Sequence, residues 1–405
     1  MVQSVLGSLT LGYRPLWNRN RALAGVQLFV CNDGEAPVDA PHLLRTLHET
    51  WGPSSPQLLL SLQTHQLLHD LLAHAAGGEG QPWIEVPGEW LDTDPGLRAR
   101  VQAAHARGAA LVWRGGADRL PDAPSAGFFR RSLVTLPPEY AVTALQAESA
   151  GMHDQSPVQP GWICEGIENR ALLDHALDRR QAWGTAGWPA EDVLHTLRHD
   201  QPQPLHSTLL RLLKVIDADE SLESFEQILS EDPLLAYRFM VFTNSAALGL
   251  RTGIDSLRRG LMMMGYGALA RWLTDQLPSA TTEPDVLPIR GAMVIRARLT
   301  EQLIDAGIEA DLRREVYLCG LFSQLDGILR EPLGTILKRL PLSERIYAAT
   351  VTRTGPYAPS LDVACALETG DAAAVRQLRK THDLGAEEVN RVLLRVLRDL
   401  DAARP

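Results

Sequence analysis

Residues 232–246 read DPLLAYRFMVFTNSA, and this stretch decides how the second half of the chain is interpreted. Aspartate followed by proline is typical of a helix start, because the carboxylate caps free N–H groups and proline suits the first helical position. Leu235, Phe239 and Phe242 follow at helical spacing. The stretch therefore predicts a helix that begins after Asp232 and buries one face.

Similar helical patterns continue on both sides of this stretch. Upstream, Ser221 can cap a helix that carries Phe225 and Leu229 on one face. Downstream, apolar stripes recur to the last helix, which carries Val389, Leu393, Val396, Leu397 and Leu400. We expect Met262-Met263-Met264 to fill the core, and an adaptable binding surface is the alternative.

The first half of the chain has a different pattern, in which short apolar runs alternate with helical stretches. The expected strands are Val26–Val30, Leu58–Leu62, Trp83–Val86, Ala109–Trp113, Leu133–Leu136 and Gly161–Cys164. Thr64 and Asn169 are expected to cap two of the intervening helices. This alternation predicts a parallel sheet, and spacing alone leaves open whether the sheet is flat or closed into a barrel.

Composition narrows the class of protein. The 405 residues suffice for two or three domains, and the net charge of -10 disfavours broad binding to nucleic acid or an anionic membrane. The four cysteines lie far apart without metal-ligand spacing, which is typical of buried thiols in a reducing compartment. No apolar run is long enough to span a bilayer. We therefore expect a cytoplasmic protein without a cofactor, a membrane partner or a nucleic-acid partner.

The second half resembles the HDOD domain, a relative of HD phosphohydrolases that lacks their catalytic pair. The resemblance is carried by Asp232-Pro233-Leu234-Leu235, by Asn244-Ser245-Ala246 and by Ile254-Asp255-Ser256-Leu257. At the matching helix, Ser323 and Gln324 stand where the metal-binding His and Asp would be. We expect Asp232, Pro233, Asn244 and Ser245 to be structural, and a partner-recognition groove is the alternative reading.

The first half resembles the EAL domain of cyclic-di-GMP phosphodiesterases. The resemblance is carried by Tyr13-Arg14-Pro15-Leu16, by Gly25–Phe29 and, most clearly, by Ile163–Asn169 (ICEGIEN). It implies a modified (β/α) barrel, shortened in one reading, in an α/β plus all-α protein. The implied domains are a degenerate EAL-like domain at 1–195 and an all-helical, HD-related HDOD bundle at 200–405.

The resemblance also implies that the metal ligands of EAL phosphodiesterases are depleted here. The family's signature Glu and the next Asn ligand align with Gln27 and Gln63, and its paired Asp aligns with Arg114 and Gly115. A phosphate-binding Arg aligns with Cys31. Glu85 and Glu165 survive, and Glu168 follows.

Two divalent metals need several converging carboxylates, so we expect no catalytic residues, no metal and no hydrolysis. The favoured function is a scaffold or regulator that binds other signalling proteins, with self-association into a homo-oligomer left open. The alternatives are cyclic-di-GMP binding without cleavage, for which Arg14, Arg114, Glu85 and Glu165 are the ligand-binding candidates, and a residual phosphodiesterase.

Overall fold

The structure is a computed structural model that describes residues 4–34, 37–137, 139–140, 142–143, 158–245, 253–304 and 309–400. The chain divides into two compact units, one formed by residues 1–193 with 365–405 and the other by residues 194–364. The domains expected from the sequence differ from these units at the C-terminus, because residues 365–405 belong with the N-terminal unit.

The N-terminal unit contains a closed barrel of eight strands in the order β1 to β8. The strands are β1 (Leu9–Trp17), β2 (Leu23–Asn32), β3 (Gln57–Leu62), β4 (Trp83–Pro87), β5 (Leu111–Gly116), β6 (Phe129–Thr135), β7 (Ile163–Glu165) and β8 (Gly184–Ala186). β1 is antiparallel to both neighbours, and the remaining pairs are parallel. The closed order of the eight strands settles the choice between a flat sheet and a barrel that spacing left open.

The helices follow the strand–helix alternation in the first half and then succeed one another. In the first half they are α1 (Ala40–Thr50), α2 (His65–His74), α3 (Gly88–Thr93), α4 (Pro95–Ala106), α5 (Ala123–Ala126), α6 (Arg170–Asp174) and α7 (Ala190–Thr196). After these come α8 (His206–Asp217), α9 (Leu222–Ser230), α10 (Pro233–Thr243), α11 (Leu257–Gln276), α12 (Leu287–Gln302), α13 (Ala310–Phe322), α14 (Leu325–Leu329), α15 (Leu333–Leu337), α16 (Glu344–Tyr347), α17 (Ala358–Leu367), α18 (Ala372–Thr381) and α19 (Ala386–Arg398).

Several expected helix starts are confirmed by side-chain hydrogen bonds. Asn169 accepts from the Leu172 N–H, Ser221 from the Ser224 N–H, and Asp232 from the N–H groups of Leu234 and Leu235. Thr64 does precede α2, yet its hydroxyl makes no capping bond.

The methionine run Met262-Met263-Met264 does not fill the core as expected. Met262 and Met263 are 58% and 61% exposed, and only Met264 packs against the core of the helical unit. Leu257, Leu261 and Met264 lie at i, i+4 and i+7 and share the face that contacts the core. Met262 and Met263 fall on other faces of the same helix, since neighbouring residues are about 100° apart.

The C-terminal helix α19 completes the barrel at the exposed edge of β1. Only Leu16 and Trp17 of β1 pair with β8, so the N-terminal part of β1 lacks a strand on that side. Buried Asn390 fills this place: its Oδ1 accepts from the Leu11 N–H at 3.2 Å, and its Nδ2 donates to the carbonyls of Leu6 and Leu9. Buried backbone groups need such partners, which explains why residues 365–405 belong to the barrel unit.

We predict that Asn390→Ala destabilises the barrel by about 2–4 kcal/mol, because it leaves a buried N–H and two carbonyls without partners. Urea denaturation measures the free energy of unfolding. Arg391→Ala on the exposed side of the same helix is the control, with an expected change within about 0.5 kcal/mol. Equal stability of the two variants would contradict this role of Asn390.

Candidate functional site

The barrel mouth collects polar side chains from five strands. Gln27 lies on β2, Ser61 on β3, Glu85 on β4, Arg114 on β5 and Glu165 on β7. All except Arg114 are buried. Strands point alternate side chains to opposite faces, so each of these residues enters the barrel while its neighbours pack beneath the helices.

Arg114 lies between the two surviving glutamates and bonds both. Its Nη1 donates to Glu85 Oε1 at 3.1 Å, and its Nε and Nη2 donate to Glu165 Oε1 at 3.2 and 3.1 Å. The planar guanidinium can donate along several directions at once, which suits it to bridge two carboxylates. The arginine therefore supplies the positive charge that these buried acids require.

Glu165 has two further donors. Arg14 Nη1 donates to its Oε2 at 3.1 Å, and the Thr135 hydroxyl donates to its Oε1 at 2.6 Å. Arg14 also lies over the Phe29 ring, 5.2 Å from the ring centroid to Cζ. Arg14 and Arg114 are the arginines expected to contact a ligand phosphate. Both are already hydrogen-bonded to the same carboxylate, Glu165.

Glu85 is held from its other side by neutral groups. Its Oε2 accepts from Gln27 Nε2 at 2.9 Å and from the Ser61 hydroxyl. Burial raises the pKa of Glu85, and Arg114 is the strongest influence that opposes the rise. Gln27 Oε1 has no partner within the described part of the chain, so one buried acceptor of the mouth is unsatisfied.

The residues at the mouth do not fit the two-metal centre that the EAL resemblance implies. Gln27 and Ser61 are neutral, both carboxylates are paired with Arg114, and Glu165 is paired with Arg14 as well. Across the described residues, no three His, Cys, Asp or Glu side chains are grouped so as to hold a metal ion. Hard divalent cations need more anionic oxygens than this mouth offers.

Arg376, from a distant part of the chain, lies beside Cys31. Cys31 is the residue that the EAL resemblance aligns with a phosphate-binding Arg. Arg376 of α18 places Nη2 2.8 Å from Cys31 Sγ and 2.7 Å from the Asn32 carbonyl. Arg376 and Arg379 also pair with Asp33. Burial acts to raise the pKa of Asp33, but Thr10 and the two arginines outweigh it and lower that pKa.

The C-terminal segment also covers part of the mouth rim. Gly12 pairs with Phe29 and Arg14 pairs with Gln27, so these four residues point to the same face of β1 and β2. A Cβ at Gly12 would lie 3.0 Å from Gly370 Cα, and a Cβ at Gly370 would lie 2.7 Å from the Phe29 ring. Residues near Gly370 therefore pack on the face of β1 and β2 that carries Arg14 and Gln27.

The sequence predicted some members of this cluster and missed others. Arg14, Arg114, Glu85 and Glu165 are brought together, whereas Gln63 and Glu168 are exposed. Ser61 occupies the place expected for Gln63, and Thr135 was not anticipated. Strand alternation could have found Ser61, since it lies two residues before Gln63 on a buried strand.

In the helical unit, Asp232 is a fully buried hub. It caps α10, accepts from the Leu205 N–H at 2.8 Å, and pairs with Arg290 Nη1 at 2.8 Å. Arg290 Nη2 donates in turn to the Gln203 carbonyl. Asp232 therefore joins the start of α8, the start of α10 and α12, while Pro233 occupies the first turn of α10 as expected.

Asn244 joins the end of α10 to the segment before α11. Its Nδ2 donates to the carbonyls of Met240 and Ile254 at 2.8 and 2.9 Å, and its Oδ1 accepts from the Ile254 N–H at 2.7 Å. The Ser245 hydroxyl is buried and has no partner in the described structure, and Ala246 lies outside the described residues. These bonds support the structural reading of Asn244.

Ser323 and Gln324, which the resemblance to HD proteins aligns with metal ligands, contact an arginine as well. Ser323 Oγ accepts from Arg296 Nη1 at 3.2 Å and donates to the Gly320 carbonyl. The Gln324 side-chain oxygen, in the orientation that satisfies both groups, accepts from Arg296 Nη1 and Nη2 at 3.1 and 3.0 Å. The Arg296 guanidinium therefore lies against both members of this pair.

We predict that Arg114→Met destabilises the protein by about 2–4 kcal/mol at pH 7.5. Removing Arg114 leaves buried Glu85 without an ion-pair partner and leaves Glu165 with Arg14 alone. Partial exposure of Arg114 reduces the usual cost of about 3–5 kcal/mol. The loss should shrink as the pH falls. Without Arg114 the pKa of Glu85 rises further, so the variant takes up a proton on folding.

Chemical denaturation at pH 7.5 and pH 5 measures this difference, with exposed Arg100→Met as the matched control. A variant as stable as the parent at pH 7.5, or a deficit that grows towards pH 5, would argue against the ion-pair role of Arg114.

We predict that Asn244→Ala lowers the free energy of unfolding by about 2–3 kcal/mol. The side chain's three hydrogen bonds to the backbone of Met240 and Ile254 are lost, and alanine offers these two residues no substitute. Thermal and urea unfolding provide the measurement, and exposed Gln227→Ala is the control. Unchanged stability would favour the partner-recognition reading instead.

Comparison with known proteins gives a family match within the helical region and remote relatives that match a little under half of the chain. The family model of the HDOD domain matches residues 203–279. The cyclic di-GMP phosphodiesterase CdgJ of Vibrio cholerae is 22% identical over 196 residues, which are 48% of this chain and 45% of CdgJ. The chain spans less than half the length of the curated relatives it matches.

Two solved structures are similar to a little under half of the chain. The response regulator MmoQ from Methylococcus capsulatus shares 17% identity at a TM-score of 0.40 and covers 48% of this chain and 98% of its own. The EAL domain of Mycobacterium smegmatis DcpA shares 15% identity at a TM-score of 0.29 and covers 44% and 90%. Residues 203–279 therefore match the HDOD domain, as the sequence predicted, and the N-terminal unit contains a closed eight-stranded barrel.

Proposed function

We propose that this protein is a non-catalytic signal-transduction protein that acts through protein–protein interaction, as a scaffold or regulator. The observation that carries the proposal is the bridge from Arg114 to Glu85 and Glu165 at the barrel mouth. It is supported by the HDOD domain and by relatives in cyclic-di-GMP signalling.

The chemistry of phosphodiester cleavage supports the proposal. Two-metal hydrolysis requires cations that lower the pKa of a bound water and stabilise the charge that develops on phosphorus. A guanidinium carries charge, but it has no open coordination position and does not generate hydroxide. Arg114 thus places a positive charge beside Glu85 and Glu165, but it cannot activate a water molecule as a metal would.

Cyclic-di-GMP binding without hydrolysis ranks second. Arg14 and Arg114 would have to exchange Glu165 for a ligand phosphate, and Cys31 offers no charge where the family's phosphate-binding Arg would be. Residues near Gly370 also pack on the rim that such a ligand would cross. Residual phosphodiesterase activity ranks third, for lack of carboxylate ligands.

The partners we propose are other signalling proteins in the cytoplasm, with self-association as a further mode of interaction. Among the described helices, none is both long and apolar enough to traverse a bilayer. Light scattering of the full chain, together with affinity capture by the full chain from the native cell, would separate self-association from binding of a different protein.

We predict that the purified chain with Mg²⁺ or Mn²⁺ does not linearise cyclic-di-GMP above the rate in buffer, as followed by chromatography of the products. Labelled cyclic-di-GMP should show no saturable binding below about 100 μM. Turnover would refute the non-catalytic proposal, and saturable binding without turnover would favour the second-ranked function.

Arg114→Asp gives a sharper test of the charge argument. This variant removes the cation and adds a third carboxylate beside Glu85 and Glu165, so it should gain stoichiometric Mn²⁺ binding in calorimetry. The parent chain should bind no Mn²⁺ at this site. Stoichiometric Mn²⁺ binding by the parent that is lost in Glu85→Gln would contradict the proposal.

A further inference from the structure

A second cavity lies at the opposite end of the barrel, where the parallel strands begin. Its volume is about 560 Å³, within the range of small-molecule sites. The lining includes the starts of β3 and β4 at Gln57, Leu58 and Trp83, and Trp183 just before β8. Ligands of (β/α) barrels usually bind at the carboxyl ends of the strands, so this cavity is separate from the mouth.

Two consecutive arginines of β6, Arg130 and Arg131, line this cavity. The pairing of β5 with β6 steps from Phe129 opposite Leu111 to Arg131 opposite Val112, which leaves Arg130 as the extra residue of a bulge. A bulge re-aims side chains that would otherwise alternate between faces. As a result, both guanidiniums lie against the same Trp83 ring, each with Cζ 5.6 Å from the ring centroid.

Trp183 completes an aromatic support for this arginine pair. Arg131 Cζ lies 5.1 Å from the Trp183 centroid, and the rings of Trp83 and Trp183 are 5.3 Å apart. Ring faces attract a guanidinium, but each such contact contributes only about 0.5–2 kcal/mol. The rings therefore fix the position of the two arginines without neutralising them.

The positive charge of the pair is not compensated within the protein. In the described part of the chain, neither arginine forms an ion pair, and Arg131 Nε is buried without a partner while Nη1 donates to the Gly161 carbonyl. Burial and the neighbouring Arg130 lower the pKa of Arg131. Glu79, the acidic side chain among the lining residues, is exposed and pairs with neither arginine.

We propose that this cavity binds a small phosphorylated molecule, with Arg130 and Arg131 holding a phosphate group. Adjacent guanidiniums match the oxygens of a phosphate dianion in paired, charge-assisted hydrogen bonds. The hydroxyl-bearing Ser54 and Ser55 and the glycine-rich segment Gly77–Gly80 line the same cavity and leave room for close approach. The inference is independent of the function proposed for the mouth.

The test is calorimetric titration of the full chain with pyrophosphate at constant ionic strength, with inorganic phosphate and citrate as parallel ligands. We expect saturable pyrophosphate binding that weakens at least tenfold in Arg130→Gln. Exposed Arg130 is not needed for packing, so this variant should fold. Arg119→Gln, another exposed arginine of the same unit, is the matched control and should bind as the parent does.

Arg131→Lys provides a second variant that retains the charge but loses the planar fork, and it too should weaken binding. Absence of saturable binding up to about 5 mM, or equal affinity of Arg130→Gln and the parent, would overturn the site. Citrate binding as tight as that of pyrophosphate would overturn the assignment to phosphate.

Discussion

The guanidinium of Arg114, held between Glu85 and Glu165, is the interaction on which the barrel mouth depends. Two buried carboxylates facing each other would repel and would lose their hydration, and a catalytic metal centre would resolve both problems with bound cations. Here the Arg114 side chain supplies a permanent positive charge between the two carboxylates. Arg14 also pairs with Glu165, so two arginines face the two carboxylates, and the neutral Gln27 and Ser61 add no further charge to the mouth.

Arginine also lies near the other positions that the family resemblances align with ligand-binding residues. Arg376 contacts Cys31 at the rim, and Arg296 contacts Ser323 and Gln324 in the helical unit. In each place the chain supplies a fixed charge of its own. Fixed charges favour one stable arrangement of the neighbouring side chains, which agrees with the non-catalytic role that we propose for the barrel mouth.

The sequence predicted the fold well where local chemistry is decisive. Asp232-Pro233 and Asn169 start helices because their caps need only neighbouring N–H groups. The three-residue strands β7 and β8 carry little local signal, and β8 was not predicted as a strand. The attachment of α19 to β1 was also missed, because Asn390 meets the β1 edge only after the whole chain has folded. Likewise, Ser61 and Thr135 look ordinary until strand register places them beside the glutamates.

The most direct measurement of the central claim is a crystal structure of the protein soaked in Mn²⁺, with anomalous diffraction recorded at the manganese edge. We expect the Arg114 guanidinium between Glu85 and Glu165, with no anomalous peak within coordination distance of either carboxylate. Paired manganese peaks between these glutamates, with Arg114 displaced, would contradict it.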